Sequence, residues 1–408
     1  MRKILHITPH LGGGVGKALS TLIKQASTDL TERHEVLCLE EPQKRQAIEV
    51  IEAAGCVVNV QPDISQVKAD AAEADIVQIE FWNHPEIPRI LCALESVPMR
   101  LLAWCHISGL NSPCIPLGLL NSSTHVVFTS PCSLLSDSVQ QSNKVFSVVS
   151  SGCVDGLPLR PEKNNRQRLR VGYVGTLDFV KLHPDIVEIV AGFPEAALPL
   201  HLYGDLTNQA TLEAQCAAIG RSDLLCFHGH VADIAAELAN LDIFAYPLNP
   251  LHYGTAENAL LEAMAMGVVP VVLDNPAEKV IVKNGKTGFV TKDKSSFQSA
   301  IYKLAEQTNL GDMMAANAIK DIRTDFTAMK MLMGLREQYD VLMQQEKTII
   351  EFQNIFGKTP SSWFASFQLN GIPDSRLLSL NSTNKGSLRH FLAKFPDDPD
   401  LQNYLINN

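Results

Sequence analysis

Residues 228–288 read HGHVADIAAELANLDIFAYPLNPLHYGTAENALLEAMAMGVVPVVLDNPAEKVIVKNGKTG. Two short runs within them, 243–246 and 268–273, are rich in β-branched or aromatic residues, as buried strands are. Between these runs, residues 257–266 place apolar side chains at the spacing of a helix. Strand, helix and strand in succession predict a parallel sheet that is covered by helices.

The same alternation extends through most of the chain. In the first half, strands are predicted at 3–8, 35–39, 57–60, 76–80, 100–106, 125–129 and 145–149. Residues 157–170 (LPLRPEKNNRQRLR) combine Pro, Asn and charges without an apolar face, which is typical of a linker. Further strands at 170–175, 198–203 and 224–228 lead into the opening stretch, and one or two helices at 316–345 follow it. We therefore predict two α/β domains, since 408 residues are too many for one comfortable core.

The last part of the chain, residues 346–408, differs from the rest. Ser, Asn, Pro and Phe become more frequent and the alternation stops. We expect its aromatic residues to dock on the rest of the chain or on a partner, and residues 379–384 (SLNSTN) to form a loop. The aromatic residues are Phe352, Phe356, Trp363, Phe364, Phe367 and Phe391.

Composition excludes several classes of protein. Hydrophobic residues make up 46% of the chain and charged residues 19%, which is ordinary for a globular protein. The net charge of −10 argues against a nucleic-acid partner, which requires a basic face. The nine cysteines form no C-x-x-C pair, and no apolar run approaches the ~18 residues of a membrane span. We therefore expect a cytoplasmic protein with no transmembrane segment.

A glycine-rich turn follows the first predicted strand. Residues 11–17 read LGGGVGK, and glycines there allow the oxygens of a ligand to approach the amides at a helix N-terminus. The P-loop pattern fails at Leu11 and Ala18, and the dinucleotide pattern fails at Lys17. The turn thus predicts a binding site without naming its ligand, and a purely structural turn would give the same sequence.

The segment NALLEAMAMG at 258–267, with VVPVV at 268–272 and GKTG at 285–288, resembles the C-terminal domain of the retaining glycosyltransferases of family 4. The likeness extends over about residues 1–345 in domain order and is specific mainly within 170–290. It implies the GT-B fold, in which two Rossmann-like domains face each other across a cleft. The corresponding domains are 1–160 on the acceptor side and 165–325 for the nucleotide sugar, with a closing helix at 326–345 and an extension at 346–408.

The resemblance also implies an activity. It implies an enzyme, a hexosyltransferase-like glycosyltransferase, which moves a sugar from a nucleoside-diphosphate sugar with retention of anomeric configuration. The nucleotide sugar is a co-substrate, and no cofactor or metal is implied. The acceptor stays open among a saccharide, a lipid-linked molecule, a protein and a small molecule, and residues 346–408 are a candidate contact for an oligomer or partner.

Several site residues follow from the resemblance. Glu262 matches a glutamate that binds the ribose, and Lys181, in GTLDFVK at 175–181, matches a lysine that pairs with the departing diphosphate. His106 matches a histidine at the donor sugar. Gly13 and Gly14 are then expected to face the diphosphate or the acceptor.

A helix that begins near Glu257 presents free N–H groups to the diphosphate, which assigns donor binding to Asn258 and Ala259. Two positions depart from the pattern of the family. Gly254 stands where the family has a glutamate, so Glu257 is the candidate to replace it. Thr176 stands where the family has an arginine, which leaves a donor-binding position without its charge.

No metal ligands are predicted from the spacing of residues. The D-x-D sequence at 398–400 encloses a proline and predicts a turn. The two departures keep two further readings open: a catalytically silent GT-B-like subunit that binds nucleotide or a partner transferase, and a GT-B enzyme of another reaction, such as an epimerase.

Overall fold

The computed structural model describes residues 1–29, 31–42, 44–159, 169–369 and 386–406. The chain divides into two compact units. Unit 1 comprises Met1–Ser151 and Ala328–Asn408, and unit 2 comprises Gly152–Thr327.

Unit 1 contains a sheet of seven parallel strands in the order β3-β2-β1-β4-β5-β6-β7. Its strands are β1 (Arg2–Thr8), β2 (Glu32–Cys38), β3 (Val57–Val60), β4 (Ile76–Phe81), β5 (Leu101–Cys105), β6 (His125–Phe128) and β7 (Ser147–Val148). The helices between them are α1 (Gly13–Ala26), α2 (Gln46–Ala53), α3 (Ile64–Glu73), α4 (Glu86–Ala93), α5 (Leu117–Asn121) and α6 (Asp137–Gln141), with a 3₁₀ helix at Pro131–Leu135. The strand order reverses between β1 and β4, as in a Rossmann fold.

Unit 2 contains a sheet of six parallel strands in the order β10-β9-β8-β11-β12-β13. Its strands are β8 (Val171–Val174), β9 (Leu200–Tyr203), β10 (Leu225–Gly229), β11 (Ile243–Tyr246), β12 (Val269–Leu273) and β13 (Phe289–Thr291). Its helices are α7 (Ile186–Ala191), α8 (Gln209–Ala218), α9 (Ile234–Leu238), α10 (Asn258–Ala265), α11 (Pro276–Lys279), α12 (Lys294–Glu306) and α13 (Thr308–Asp325), with a 3₁₀ helix at Glu195–Ala197. Here the order reverses between β8 and β11.

The helical region predicted at 316–345 consists of two helices, α13 and α14 (Ala328–Met343), which belong to different units. Helix α14 packs on α1 and β4 of unit 1. Its Arg336 donates to Asp29 at 2.8 Å and to Glu32 at 3.2 Å. These charge-assisted hydrogen bonds fix the orientation of the helix on the sheet.

The extension continues unit 1 with α15 (Phe352–Phe356), α16 (Pro360–Ser366), α17 (Leu388–Lys394) and α18 (Pro399–Ile406). All six of its aromatic residues named above are buried, as expected for a segment that docks on the rest of the chain. Rings of the extension pack on one another and on the sheet, with Phe367 6.0 Å from Phe81 and Phe391 5.3 Å from Phe364. The loop predicted at 379–384 lies outside the described residues.

All nine cysteines are free thiols, and only Cys92 and Cys226 among them are partly exposed. Within the described residues, no helix combines the length and the apolar character needed to cross a bilayer. The cytoplasmic location stays a prediction.

Candidate functional site

A cavity of about 440 Å³ opens at the carboxyl ends of the strands of unit 2. Ligands of open α/β sheets bind at this edge, close to where the strand order reverses. The lining comes from the ends of β8 and β9, the loop after β10, and α10. Its residues are Val174, Gly175, Thr176, Tyr203, Gly204, Asp205, His230, Val231, Ala232, Ile234 and Glu262.

Two of the predicted donor-binding residues, Thr176 and Glu262, line this cavity. Asn258 and Ala259 form the first turn of α10, the helix that carries Glu262. Glu257, the residue before the helix, does not cap it with its side chain. The N–H groups of the first turn of α10 therefore have no capping side chain. Helix α10 thus brings a polar first turn and a cavity-lining carboxylate onto one element.

The loop that follows β8 is held against the loop that follows β11. Leu182 and Leu248 form an isolated antiparallel bridge, and the Asn249 N–H donates to the Lys181 carbonyl at 2.7 Å. These bonds bring Lys181 to the start of α10, where its Nζ lies 3.0 Å from Oε2 of Glu257. The Tyr246 hydroxyl at the end of β11 donates to the same oxygen at 2.7 Å. Two predicted catalytic residues, Lys181 and Glu257, are therefore in direct contact.

Glu257 has an unusual backbone and a nearly inaccessible carboxylate. Its φ of 42° lies in the left-handed region, which a glutamate rarely adopts, and 1% of its side chain is exposed. Oε1 is buried without a hydrogen-bond partner, and it lies 3.8 Å from His252 Nδ1. A buried carboxylate oxygen in this condition is a candidate acceptor for a ligand hydroxyl.

Gly254 explains how Glu257 fits in this place. A Cβ at residue 254 would fall well inside van der Waals contact with Oε1 of Glu257. The carboxylate of Glu257 thus occupies the space where a side chain at 254 would begin. With the Glu257 carboxylate in this position, a residue larger than glycine at 254 would have to displace it.

Electrostatics keep this ion pair charged. Burial acts to lower the pKa of Lys181, but the attraction of Glu257 outweighs it and the pKa is raised. Burial acts to raise the pKa of Glu257, but Lys181, His252 and the Tyr246 hydrogen bond outweigh it and the pKa is lowered. Both groups are therefore ionised at neutral pH.

His252 forms a second buried ion pair behind this one. Its Nε2 lies 3.1 Å from Oε2 of Glu278, whose other oxygen accepts from Asn275 at 3.1 Å. Burial acts to lower the pKa of His252, but the attraction of Glu278, and then that of Glu257, raises it. When the ring is neutral, its Nδ1 accepts the Gly254 N–H at 3.0 Å and its Nε2 donates to Glu278.

In unit 1, the glycine-rich turn opens α1 at the end of β1. Gly13 has a φ of 61°, which favours glycine, and Gly13 and Gly14 are both exposed. The turn is closed by a hydrogen bond in which the Gly12 N–H donates to His10 Nδ1 at 3.0 Å. The turn therefore leaves the N-terminus of α1 accessible.

His106 follows β5 at the same edge of the sheet. Its Nε2 lies 2.7 Å from Oε2 of Glu80, a fully buried residue of β4. The other oxygen of Glu80 accepts from Gln78 at 2.7 Å and lies 3.7 Å from His6. Burial acts to raise the pKa of Glu80, but the hydrogen bond from His106 and the proximity of His6 lower it to about 2. An ionised Glu80 therefore orients the His106 ring by accepting the N–H of Nε2.

Several of these residues are not among those predicted from the sequence. Glu80, Tyr246 and Asp205 all stand at or just after the carboxyl end of a strand, which was the available signal. Tyr246, His252 and Glu278 could not be connected to Glu257, because the contacts depend on how loops pack. The D-x-D sequence is a helix cap: Oδ1 of Asp398 accepts the N–H groups of Asp400 and Leu401 as α18 begins.

The model of the family described as glycosyl transferases group 1 matches residues 159–321 of this chain, which is less than half of it. No curated protein sequence matches the chain.

Solved structures give broader matches. The structure of Anabaena HepE in complex with UDP and glucose is 19% identical, with a TM-score of 0.67, and the match covers 84% of this chain and 100% of that one. A glycosyltransferase from Rickettsia africae is 15% identical, with a TM-score of 0.68 over 84% of this chain and 99% of that one. Sucrose-phosphate synthase from Thermosynechococcus elongatus is 13% identical, with a TM-score of 0.64, and the match covers 84% of this chain and 100% of that one.

At these identities the structural matches show the fold. Both sheets are parallel and Rossmann-like, and the structures that match across both units include glycosyltransferases. The chain therefore has the GT-B fold with an additional helical extension, and its residues 159–321 match the group 1 glycosyl transferase domain.

Proposed function

We propose that this protein is a glycosyltransferase that moves a sugar from a nucleoside-diphosphate sugar to an acceptor, with retention of configuration. The match of residues 159–321 to group 1 glycosyl transferases supports the class of activity. The similarity in fold to a protein crystallised with UDP and glucose supports a nucleotide-sugar donor. Retention follows the resemblance to family 4.

The donor occupies the cavity of unit 2 in this proposal. Glu262 lines that cavity and accepts hydrogen bonds from the ribose hydroxyls. The N–H groups of Asn258 and Ala259, at the positive end of α10, face the diphosphate. Thr176 lines the same cavity and offers a hydroxyl where the family has a guanidinium.

Lys181 stabilises the diphosphate as it leaves. The bond between the anomeric carbon and the diphosphate oxygen lengthens in an oxocarbenium-like transition state, and negative charge grows on that oxygen. A third of the Lys181 side chain is exposed, so its ammonium can turn from Glu257 toward a phosphate. This charge, with the N-terminus of α10, accounts for the leaving group without a metal ion.

The observation that carries the proposal is the buried Oε1 of Glu257. Oε2 of this carboxylate contacts Lys181 and Tyr246, while Oε1 has no hydrogen-bond partner. We assign Oε1 to a hydroxyl of the donor sugar, as the replacement for the glutamate missing at 254. The cost of burying this oxygen is then recovered when the sugar binds, and most fully when positive charge develops on the ring.

The resemblance to family 4 supports a role for His106 at the donor sugar, and for Gly13 and Gly14 at the diphosphate or the acceptor. The chemical class of the acceptor stays open.

The test is a panel of nucleoside-diphosphate sugars incubated with the purified full-length protein. Mass spectrometry would detect hydrolysis or transfer, and thermal shifts would detect binding. Glu262→Ala should weaken donor binding, since hydrogen bonds to a charged group contribute ~1.5–3 kcal/mol each. Lys181→Ala should mainly slow the chemical step. Glu213→Ala, an exposed glutamate on α8 outside the cavity, is the matched control. Normal binding and turnover in folded Glu262→Ala and Lys181→Ala would refute the site.

A silent nucleotide-binding subunit is the second candidate. The observation in its favour is that Lys181 is already neutralised by Glu257, while Thr176 removes a second positive charge. Binding of nucleoside diphosphates without turnover of any sugar in the panel, alone or with candidate acceptors, would favour it.

A further inference from the structure

Three potential metal ligands lie together on the two outermost strands at one edge of the sheet of unit 2. His201 belongs to β9, and Cys226 and His228 belong to β10, the edge strand. Cys226 pairs in register with His201, and His228 lies two residues beyond Cys226. His201 and Cys226 project from the same face because they are register partners, and the ligand atom of His228 lies within 4.8 Å of theirs. The spacing patterns used to find zinc sites in sequences did not apply, since the ligands come from two strands.

The ligand atoms have separations close to those around a zinc ion. Nδ1 of His201 lies 2.9 Å from Nε2 of His228, which lies 3.5 Å from Sγ of Cys226. All three atoms lie within 4.8 Å of one another. With Zn–N of about 2.0–2.1 Å and Zn–S of about 2.3 Å, tetrahedral geometry places two nitrogens about 3.4 Å apart and a nitrogen and a sulfur about 3.6 Å apart. The observed separations thus differ from these values by about 0.5 Å between the nitrogens and about 0.1 Å between nitrogen and sulfur.

An irregularity in the strand pairing orients His228. The register between β9 and β10 shifts between Phe227 and Gly229, so His228 is the additional residue of a bulge. Bulges re-aim side chains locally. The His228 ring also stacks on Tyr203, with ring centroids 4.4 Å apart and planes inclined by 9°. The bulge and the stacking together hold His228 with its Nε2 toward the other two ligands.

A second group, Glu40, His84 and His390 in unit 1, also brings three potential ligands together. There, Nζ of Lys394 lies 3.3 Å from Glu40 and supplies the positive charge. Nδ1 of each of its two histidines accepts a backbone N–H. At the site in unit 2, one positive group, Arg170, and one negative group, Glu237, act on His201, and the ligand set contains no lysine. The unit 2 cluster is therefore the better cation site among the described residues.

We propose that His201, Cys226 and His228 bind a zinc-type divalent ion, with water in the fourth position. One thiolate and two imidazoles are a preferred ligand set for zinc. Binding releases the proton of the Cys226 thiol, and the ion links the edge strand to its neighbour. The ion takes no part in the proposed binding of the diphosphate. The inference departs from the sequence-based expectation of no metal ligands, and it is independent of the proposed transfer reaction.

The test is titration of the metal-free, full-length protein with Co²⁺, whose absorption spectrum reports thiolate coordination. One equivalent should produce a thiolate-to-cobalt charge-transfer band that Zn²⁺ then abolishes by displacement. Cys226→Ser should lose the band and weaken zinc binding more than about 100-fold, because even outer-shell changes cost 10–100-fold. Cys92→Ser, at the other partly exposed cysteine, should retain the band.

Circular dichroism would show that each variant is folded. His201→Gln and His228→Gln provide independent variants, and each should alter the cobalt spectrum and remove the stabilisation by zinc. The proposal is overturned if the folded wild-type protein shows no stoichiometric band. It is equally overturned if Cys226→Ser keeps the band, or if both histidine variants bind cobalt and zinc like the wild type.

Discussion

The ion pair between Lys181 and Glu257 makes a quantitative prediction about stability. We consider Glu257→Gln, Lys181→Met and the double variant in the full-length protein. Glutamine keeps the shape of Glu257 and its contact with Tyr246 but removes the charge. Methionine keeps the length of Lys181 and removes its ammonium.

The structure sets the magnitude. Breaking a buried ion pair costs ~3–5 kcal/mol when one charge is left without a partner. Lys181 is 32% exposed, so water compensates it partly, and we expect ~2 kcal/mol for Glu257→Gln. Lys181→Met leaves Glu257 buried at 1% exposure without its main counter-charge, so its cost should be larger, ~3 kcal/mol. The double variant should lose ~1–2 kcal/mol less unfolding free energy than the sum of the losses in the two single variants.

The sign of the pH dependence follows from the two pKa shifts. The pKa of Glu257 is lowered, so its contribution is present above its unfolded value of about 4.3 and is lost as the pH falls. The pKa of Lys181 is raised, so its contribution is present below about 10.4 and is lost as the pH rises. The difference between wild type and Glu257→Gln should therefore be largest between about pH 5 and pH 10.

The two units can be measured separately. The three tryptophans, Trp82, Trp104 and Trp363, all lie in unit 1, so their fluorescence reports the unfolding of that unit. Hydrogen exchange of peptides from β8 and β11, measured by mass spectrometry, reports unit 2. A loss of ~2 kcal/mol corresponds to a fall of about 4–8 °C in the melting temperature of a domain of this size. The reasoning would be refuted if the stability losses of the two single variants added up to that of the double variant within ~0.5 kcal/mol. It would also be refuted if the variants destabilised unit 1 as much as unit 2.

Four further predictions test other parts of the molecule. Glu80→Gln should release the His106 ring and lower kcat/KM about tenfold or more, while affinity for the nucleoside diphosphate stays unchanged; a reduced affinity instead would contradict a role through His106 alone. His252→Gln should destabilise unit 2 more at pH 6 than at pH 9, since a raised pKa contributes stability below about 6.5 that is lost as the pH rises through the folded value; equal losses at both pH values would count against the His252–Glu278 pair. Removal of residues 346–408 should lower the melting temperature reported by Trp82 and Trp104, because surfaces under Phe352, Phe364 and Phe391 become exposed; unchanged melting and elution from a sizing column would contradict this. Transfer activity should persist in EDTA, and a strict requirement for added Mn²⁺ or Mg²⁺ would disprove the role given to Lys181 and α10.

The sequence by itself determined most strands of the two sheets and the start of the helix that carries Glu262, whereas strand β13 was not predicted. Strand β11 was predicted at its observed bounds, because short apolar runs that are buried on both faces have few alternatives. The edge strand β3 was also predicted at its observed bounds, although its residues are partly exposed. The start of α10 next to Glu257 and the opening of α1 at the glycine-rich turn followed from local signals of the same kind. Strand bounds and helix starts depend on residues that are neighbours in the sequence, so the composition and spacing of those residues predict them.

Only the tertiary structure decided which side chains meet. Lys181 and Glu257 are brought together by the bridge between Leu182 and Leu248, and His106 is fixed by Glu80 from the neighbouring strand. The ligand set of His201, Cys226 and His228 depends on register and on a bulge. Each of these contacts joins segments far apart in the chain, and its distance depends on packing to within an ångström or so. A sequence pattern can place such residues at the same edge of a sheet, but it does not determine the distances on which their hydrogen bonds, charges and coordination depend.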